Sequence, residues 1–207
     1  NSVKAWDKEG CAALCHTGQG KPYGNKYTAR EGEIVDMWHM KLGRTGPWGH
    51  VDDQYADHTR YDPKASPNAG RKSDPGTQGG EYNGFGLVNG KPQYMARDGK
   101  AANAGGTFWI KRGDEVPFDD SRFKPGDEVA SYIVNPLQGD RADIRVAMTW
   151  SNGTYTSVVA RKLVTGSKFD VQFSDLNARY GFGLAAFDNA QVRHATSDDP
   201  LYMVFAK

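Results

Sequence analysis

Alternation of apolar and polar positions divides this chain into strands. The first strong run is residues 33–41: Ile34, Asp36, Trp38 and Met40 fall on one face and Val35, Met37, His39 and Lys41 on the other, and Gly43 with Gly46-Pro47 ends it. Residues 127–134 form a second run, closed by Asn135-Pro136. Residues 143–150 alternate, Ser151-Asn152-Gly153 is a hairpin turn signal, and residues 154–163 alternate again. Short apolar runs at 171–173, 181–188 and 201–205 complete the C-terminal third, while residues 1–6 alternate weakly and begin abruptly, as if earlier strands were missing. Strands at this spacing, separated by Gly and Asn turns, predict a mainly β chain: an antiparallel, immunoglobulin-like β-sandwich with few short helices.

Residues 49–120 break the pattern. They are polar and glycine-rich with few periodic apolar positions, so they are expected to be a long irregular insertion that covers one face of a single domain spanning 1–207. Residues 105–110 are the one short strand candidate named there. Residues 52–58 cluster acids in Asp52-Asp53-Gln54-Tyr55-Ala56-Asp57-His58; a solvated acidic turn is the expectation, and a hard-cation site the alternative.

Composition narrows the classes. A chain of 207 residues is long enough for one sizeable core. With 26 Lys+Arg against 25 Asp+Glu, net +1, bulk charge argues against a nucleic-acid or membrane surface. No apolar run approaches the roughly 18 residues of a bilayer span. No signal peptide is recognisable, which reads as a mature chain or a fragment. There is no internal repeat, phosphate loop, nucleophile elbow or acid/base constellation, so an enzyme in its own right is not expected.

Both cysteines lie in Gly10-Cys11-Ala12-Ala13-Leu14-Cys15-His16. Cys-x-x-Cys-His attaches haem covalently, through two thioethers, with the histidine on iron; here the spacing is one residue longer. On a helix, positions i and i+4 share a face, so both sulfurs could still reach one porphyrin edge. A Cys11–Cys15 disulfide or two buried thiols are the other readings.

The chain resembles the haem-binding domain of the ethylbenzene dehydrogenase gamma subunit, shared with dimethylsulfide dehydrogenase and chlorate reductase. It is most similar to a c-type-like branch with a Cys/Cys-His segment. The stretches that carry the resemblance are 10–16, Val35-Asp36-Met37-Trp38-His39-Met40-Lys41 with Gly43-Arg44-Thr45, Asp52-Asp53-Gln54-Tyr55, Arg161-Lys162-Leu163, Asp170-Val171-Gln172-Phe173 and 180–189. The resemblance implies a β-sandwich carrying one haem outside the cytoplasm, in the periplasm or its equivalent, that passes electrons. Family members hold a b haem between Met and Lys. Here His194 stands about where that lysine would be, and the methionine has no clear counterpart.

Two strong axial ligands suit an electron-transfer haem. His16 is the first candidate because it follows an attachment thiol, and His194 is the second. Met40, Met37, Met95 and His39 are alternatives, each also explained as core filling. Lys41 and Arg44 are candidates for pairing haem propionates, and Trp38, Trp48 and Tyr55 for walling the ring. His50 and His58 read as solvated. The expected cofactor is haem, c-type rather than b-type. The expected function is a monohaem cytochrome or the haem subunit of a larger oxidoreductase. Its partners would be other redox proteins, such as a molybdoenzyme or a quinol-linked cytochrome, and not nucleic acid. A disulfide-stapled sandwich that binds carbohydrate or a small ligand, and a haem sensor or carrier with an open coordination position, are the competing functions.

Overall fold

The computed structural model of the chain describes residues 3–14, 26–76, 80–188, 194–197 and 199–206. One short helix, α1 (Trp6–Glu9), runs into a 3₁₀ turn at Gly10–Ala13. The strands that follow are β1 (Val35–His39), β2 (Asp52–Ala56), β3 (Arg71–Ser73), β4 (Tyr82–Gly84), β5 (Leu87–Val88), β6 (Lys91–Pro92), β7 (Tyr94–Ala96) and β8 (Ile110–Lys111). Then come β9 (Glu115–Pro117), β10 (Tyr132–Val134), β11 (Arg145–Ser151), β12 (Thr154–Ala160), β13 (Tyr180–Phe182), β14 (Ala185–Ala186), β15 (Ala195–Thr196) and β16 (Leu201–Met203). The protein is mainly β, as its alternation predicts, and its strands form several small sheets.

Three expectations are corrected. Residues 3–5 form no strand and lead by a turn into α1: Asp7 and Glu9 sit in its first turn, where negative charge favours the exposed N–H groups, and Gly10 at φ +51° stops the helix. Residues 49–120 hold more regular structure than expected, since β2 to β9 all lie within them, joined by longer irregular stretches. These strands have two to five residues each, too short to print an alternation. Residues 171–173 are extended but form no strand; Phe173 N donates to Leu163 O and Val171 N to the Asp36 carboxylate.

The chain divides into two compact units. Unit 1 comprises Asn1–Met37, Asp53–Asp74 and Lys162–Lys207, and unit 2 comprises Trp38–Asp52 and Pro75–Arg161. The sheets assembled around unit 1 are β1-β2-β3, β13-β16 and β14-β15. Tyr55 stacks on Phe169 at 4.1 Å, and Phe173, Tyr180 and Phe205 meet edge to face at 4.9–6.1 Å, the offset that aromatic quadrupoles prefer. Gly70 is required in its place because a Cβ there would collide with the Asp57 carbonyl, whose residue pairs with Gly70 through N–H···O at 3.1 Å.

In unit 2, β10 runs antiparallel to β4 and parallel to β8, and β5-β6, β7-β9 and β11-β12 are two-stranded. Two apolar clusters hold it. Val51, Ile144 and Val146 pack with Met40 and Met148; Ile110, Ala130 and Ile133 pack with Phe85, Tyr94 and Ala96. Each fully buried aliphatic side chain here contributes about 1.5–3 kcal/mol. Among the described residues no helix is long and apolar enough to cross a membrane.

Candidate functional site

The densest polar chemistry in unit 2 is a buried ion cluster. Lys41, just past β1, donates to Asp52 at the start of β2 and, at 3.0 Å, to Glu81. Arg141 donates its Nε and an Nη to the two Asp52 oxygens and reaches Glu81 at 3.2 Å. Arg44 closes the group on Glu81 at 3.2 Å, with its guanidinium 5.3 Å from the Tyr82 ring centre. Asp52 has no exposed surface and Lys41 and Arg141 almost none. Burial works to raise the Asp52 pKa, but Arg141 and Lys41 outweigh it and hold the carboxyl below its ordinary range; for Glu81 the same balance is set chiefly by Lys41.

Beside this cluster His50 is buried, not solvated as expected. Its Nδ1 faces the Ala142 carbonyl at 3.2 Å and its Nε2 faces an Arg145 guanidinium nitrogen at 3.0 Å. An arginine can only donate, so Nε2 accepts and the imidazole is the neutral Nδ1–H tautomer. Burial and then Arg145 lower its pKa, against the opposing pull of the Ala142 carbonyl.

Unit 1 gathers three carboxylates, Asp53, Asp74 and Asp170, whose oxygens lie within 4.8 Å of one another and which are all buried. Such a set of hard oxygen donors could hold a divalent cation. The expected solvated acidic turn at 52–58 is therefore corrected: β2 is buried along Asp52, Asp53 and Gln54, with Asp52 in one cluster and Asp53 in the other.

The second feature of unit 1 surrounds His194. Its ring stacks on Phe187, with centroids 3.8 Å apart and planes 29° apart, and Lys26 Nζ lies 5.7 Å from the centre of the Phe187 ring. The His194 Nδ1 is buried and has no hydrogen-bond partner among the described residues. Burial lowers its pKa and Lys26 lowers it further, so the imidazole is held neutral, the form that ligates metals. Phe182, Leu184 and Phe187 from the adjoining β13–β14 segment are all exposed. Cys11 lies against the same segment with a free thiol: Sγ is 3.6 Å from Ser197 Oγ, which accepts from Leu184 N at 3.3 Å. A Cβ at Gly183 would collide with Cys11 Sγ, and one at Gly181 with the Trp6 indole, so glycine at both positions lets these side chains lie on the strand backbone.

The other candidates fall as follows. Cys15 and His16 lie outside the described residues. Cys11, Met37 and His194 belong to unit 1, and Trp38, His39, Met40, Lys41, Arg44 and Met95 to unit 2. Lys41 is not a free cation for a propionate, because Asp52 and Glu81 already hold it; Arg44 keeps 40% of its side chain exposed. Met40 and Met95 fill core, the former with its sulfur 3.7 Å from Ser157 Oγ and the latter 6% exposed on β7. Trp38 is 41% exposed with the Arg161 guanidinium 5.4 Å from its ring, and Trp48 donates Nε1–H to Val134 O at 3.1 Å. Sequence reasoning missed Asp74, Asp170, Glu81 and Arg141 as members of clusters. Asp53 and Asp170 do fall in stretches that carry the family resemblance, and Asp53 also lies in the acid cluster at 52–58 for which a hard-cation site was the alternative reading.

The fold is mainly β, and His194 on Phe187 and the carboxylates Asp53, Asp74 and Asp170 are its candidate ligating groups among the described residues. The chain belongs to the ethylbenzene dehydrogenase family, whose family model matches residues 3–198. No curated protein and no solved structure matches it.

Proposed function

We propose that this chain is a haem-carrying subunit of an ethylbenzene-dehydrogenase-like oxidoreductase complex, and that it passes electrons outside the cytoplasm rather than transforming a substrate itself. Family membership supports the coarser part, a subunit of such a complex. The observation that carries the finer part is His194: an imidazole with a buried Nδ1 that finds no partner among the described residues, its ring stacked on the exposed Phe187. An orphaned ring nitrogen at an apolar surface fits the edge of a porphyrin site, which needs one ligating nitrogen and a wall that sheds water.

His194 and His16 would hold the iron, and Cys11 and Cys15 would supply thioether sulfurs. Bound haem would contribute one-electron ferric/ferrous chemistry. The protein's part is to favour unprotonated His194 through burial and Lys26 and to fix its ring plane against Phe187. Two imidazoles favour ferric iron more than a methionine ligand does, so a low potential is expected.

Visible spectra of the purified protein, oxidised and reduced, test this reading. A low-spin spectrum in both states is expected, with no carbon monoxide bound to the reduced form and with haem retained after acid–acetone extraction. His194→Ala should become high-spin and bind carbon monoxide rapidly. A colourless protein from haem-replete cells refutes the haem reading; full release of haem by acid–acetone refutes the thioethers; an unchanged mutant spectrum refutes His194 as ligand.

A further inference from the structure

The β11–β12 hairpin of unit 2 is a ladder of seven pairs, from Arg145↔Ala160 to Ser151↔Thr154. Asn152 and Gly153 close it with φ of +49° and +77°, the two positive angles of a turn whose twist matches the strands. A two-residue loop makes Ser151↔Thr154 a hydrogen-bonded pair, and alternation then turns the N–H and C=O of Tyr155, Ser157 and Val159 away from β11. The outer edge of β11 is occupied at its base, where Val146 N donates to Gly49 O at 2.9 Å. The outer edge of β12 makes no backbone hydrogen bond among the described residues, and all seven of its residues are exposed.

Natural sheets blunt such an edge with charge, proline or a bulge. β12 reads Thr-Tyr-Thr-Ser-Val-Val-Ala, with none of these. Its apolar face is also an extension of the core. Val146 is buried, Met148 packs against its cluster, and beyond them Trp150, Tyr155 and Val159, on the same face, are 62%, 55% and 37% exposed. An isolated two-stranded ribbon is marginal in water, and a further strand on its free edge would bury this surface.

We propose that β12 pairs with β12 of a second copy of this chain, antiparallel about a two-fold axis at Ser157, to make a four-stranded sheet. Composition selects a second copy as occupant. In a two-fold interface a strand meets its own sequence reversed, so a charged strand brings like charges together, and β12 has no charge to repel. Centring on Ser157 sets the outward groups of residues 155, 157 and 159 against those of 159, 157 and 155, which allows about six backbone hydrogen bonds. The same register puts Tyr155 against Val159 of the second copy, an aromatic–β-branched pair of the stabilising kind, and Thr156 against Val158. The net charge of +1 adds no long-range repulsion.

Sedimentation velocity and light scattering on the intact purified chain test this. The wild type should weigh twice 22.7 kDa. Ser157→Lys and Ser157→Glu should each be monomeric, with far-UV circular dichroism unchanged because Ser157 is exposed and, among the described residues, its side chain hydrogen-bonds only the Met40 sulfur. An equimolar mixture of the two should recover the dimer, because lysine meets glutamate only if residue 157 faces its own counterpart. A wild type that stays at 22.7 kDa at roughly 100 µM, well above the micromolar Kd values of weak interfaces, overturns the proposal, as does a folded Ser157→Lys dimer or a mixture that stays monomeric. Capture of the edge by a different chain while this one is monomeric overturns it too. None of these outcomes bears on the haem, whose absorption is read separately.

Discussion

Replacing Asp52 by Asn takes one of two negative charges from a cluster that holds three positive ones: Lys41, Arg44 and Arg141 against Asp52 and Glu81. Three donors converge on the Asp52 carboxylate, the Nε and an Nη of Arg141 and the Nζ of Lys41. An asparagine offers them one acceptor oxygen and turns an NH₂ toward a cation. Asp52, Lys41 and Arg141 are buried, so the stranded charges are poorly resolvated, and breaking a buried pair of this kind costs about 3–5 kcal/mol. An exposed pair would cost about 0–1 kcal/mol. Taking about 2 kcal/mol/M as the urea slope, the midpoint should fall by about 1.5–2.5 M. Trp38, Trp48, Trp109 and Trp150 belong to unit 2, so tryptophan fluorescence follows the relevant part of the chain. The acid limb gives a second readout. Asp52 and Glu81 have folded pKa values below their unfolded ones, so their contribution is present above the ordinary carboxylate range and is lost as pH falls through the folded values. Asp52→Asn should flatten the wild-type loss of stability below about pH 4. A loss under about 1 kcal/mol with an unchanged acid limb would show that water screens the cluster, and would refute the argument from burial.

His50 should make the protein less stable as pH falls from about 6.5, because the unfolded histidine takes a proton there while the folded one, its pKa lowered by burial and Arg145, resists it. His50→Asn should reduce the Tm slope between pH 7.5 and 5.5 measured by circular dichroism, with His194 contributing in the same direction, and an unaltered slope would exclude His50 as a source. Gly76 has φ +131°, and a Cβ there would overlap the Gln138 carbonyl and Gly139, whereas Gly90 at φ +76° has open space around it. Gly76→Ala should therefore cost more than the roughly 1–3 kcal/mol of backbone strain alone, and Gly90→Ala no more than that strain, in parallel urea titrations; equal losses would mean that the Gly76 contact relaxes freely.

The hairpin was legible because its causes are local: period-two alternation on both arms and Asn152-Gly153 between them. β1 was legible for the same reason, and so was membership of the ethylbenzene dehydrogenase family, through short stretches spread along the chain. The segment at 49–120 hid eight short strands because strands of two to five residues show no alternation; most of them are held by partners far along the chain, although β5 and β6 pair locally across Asn89-Gly90. Burial misled in the same way. His50 and Asp52 sit in polar sequence, yet both are buried, since Arg145, Lys41 and Arg141 arrive from elsewhere to satisfy them. The meeting of Asp53, Asp74 and Asp170, and the stacking of His194 on Phe187, likewise needed the folded chain. Alternation along a strand is set by backbone geometry residue by residue, so sequence by itself determined which side chains share a face. Which faces and loops meet depends on pairing between distant segments and on the desolvation that follows, and those the tertiary structure alone decided.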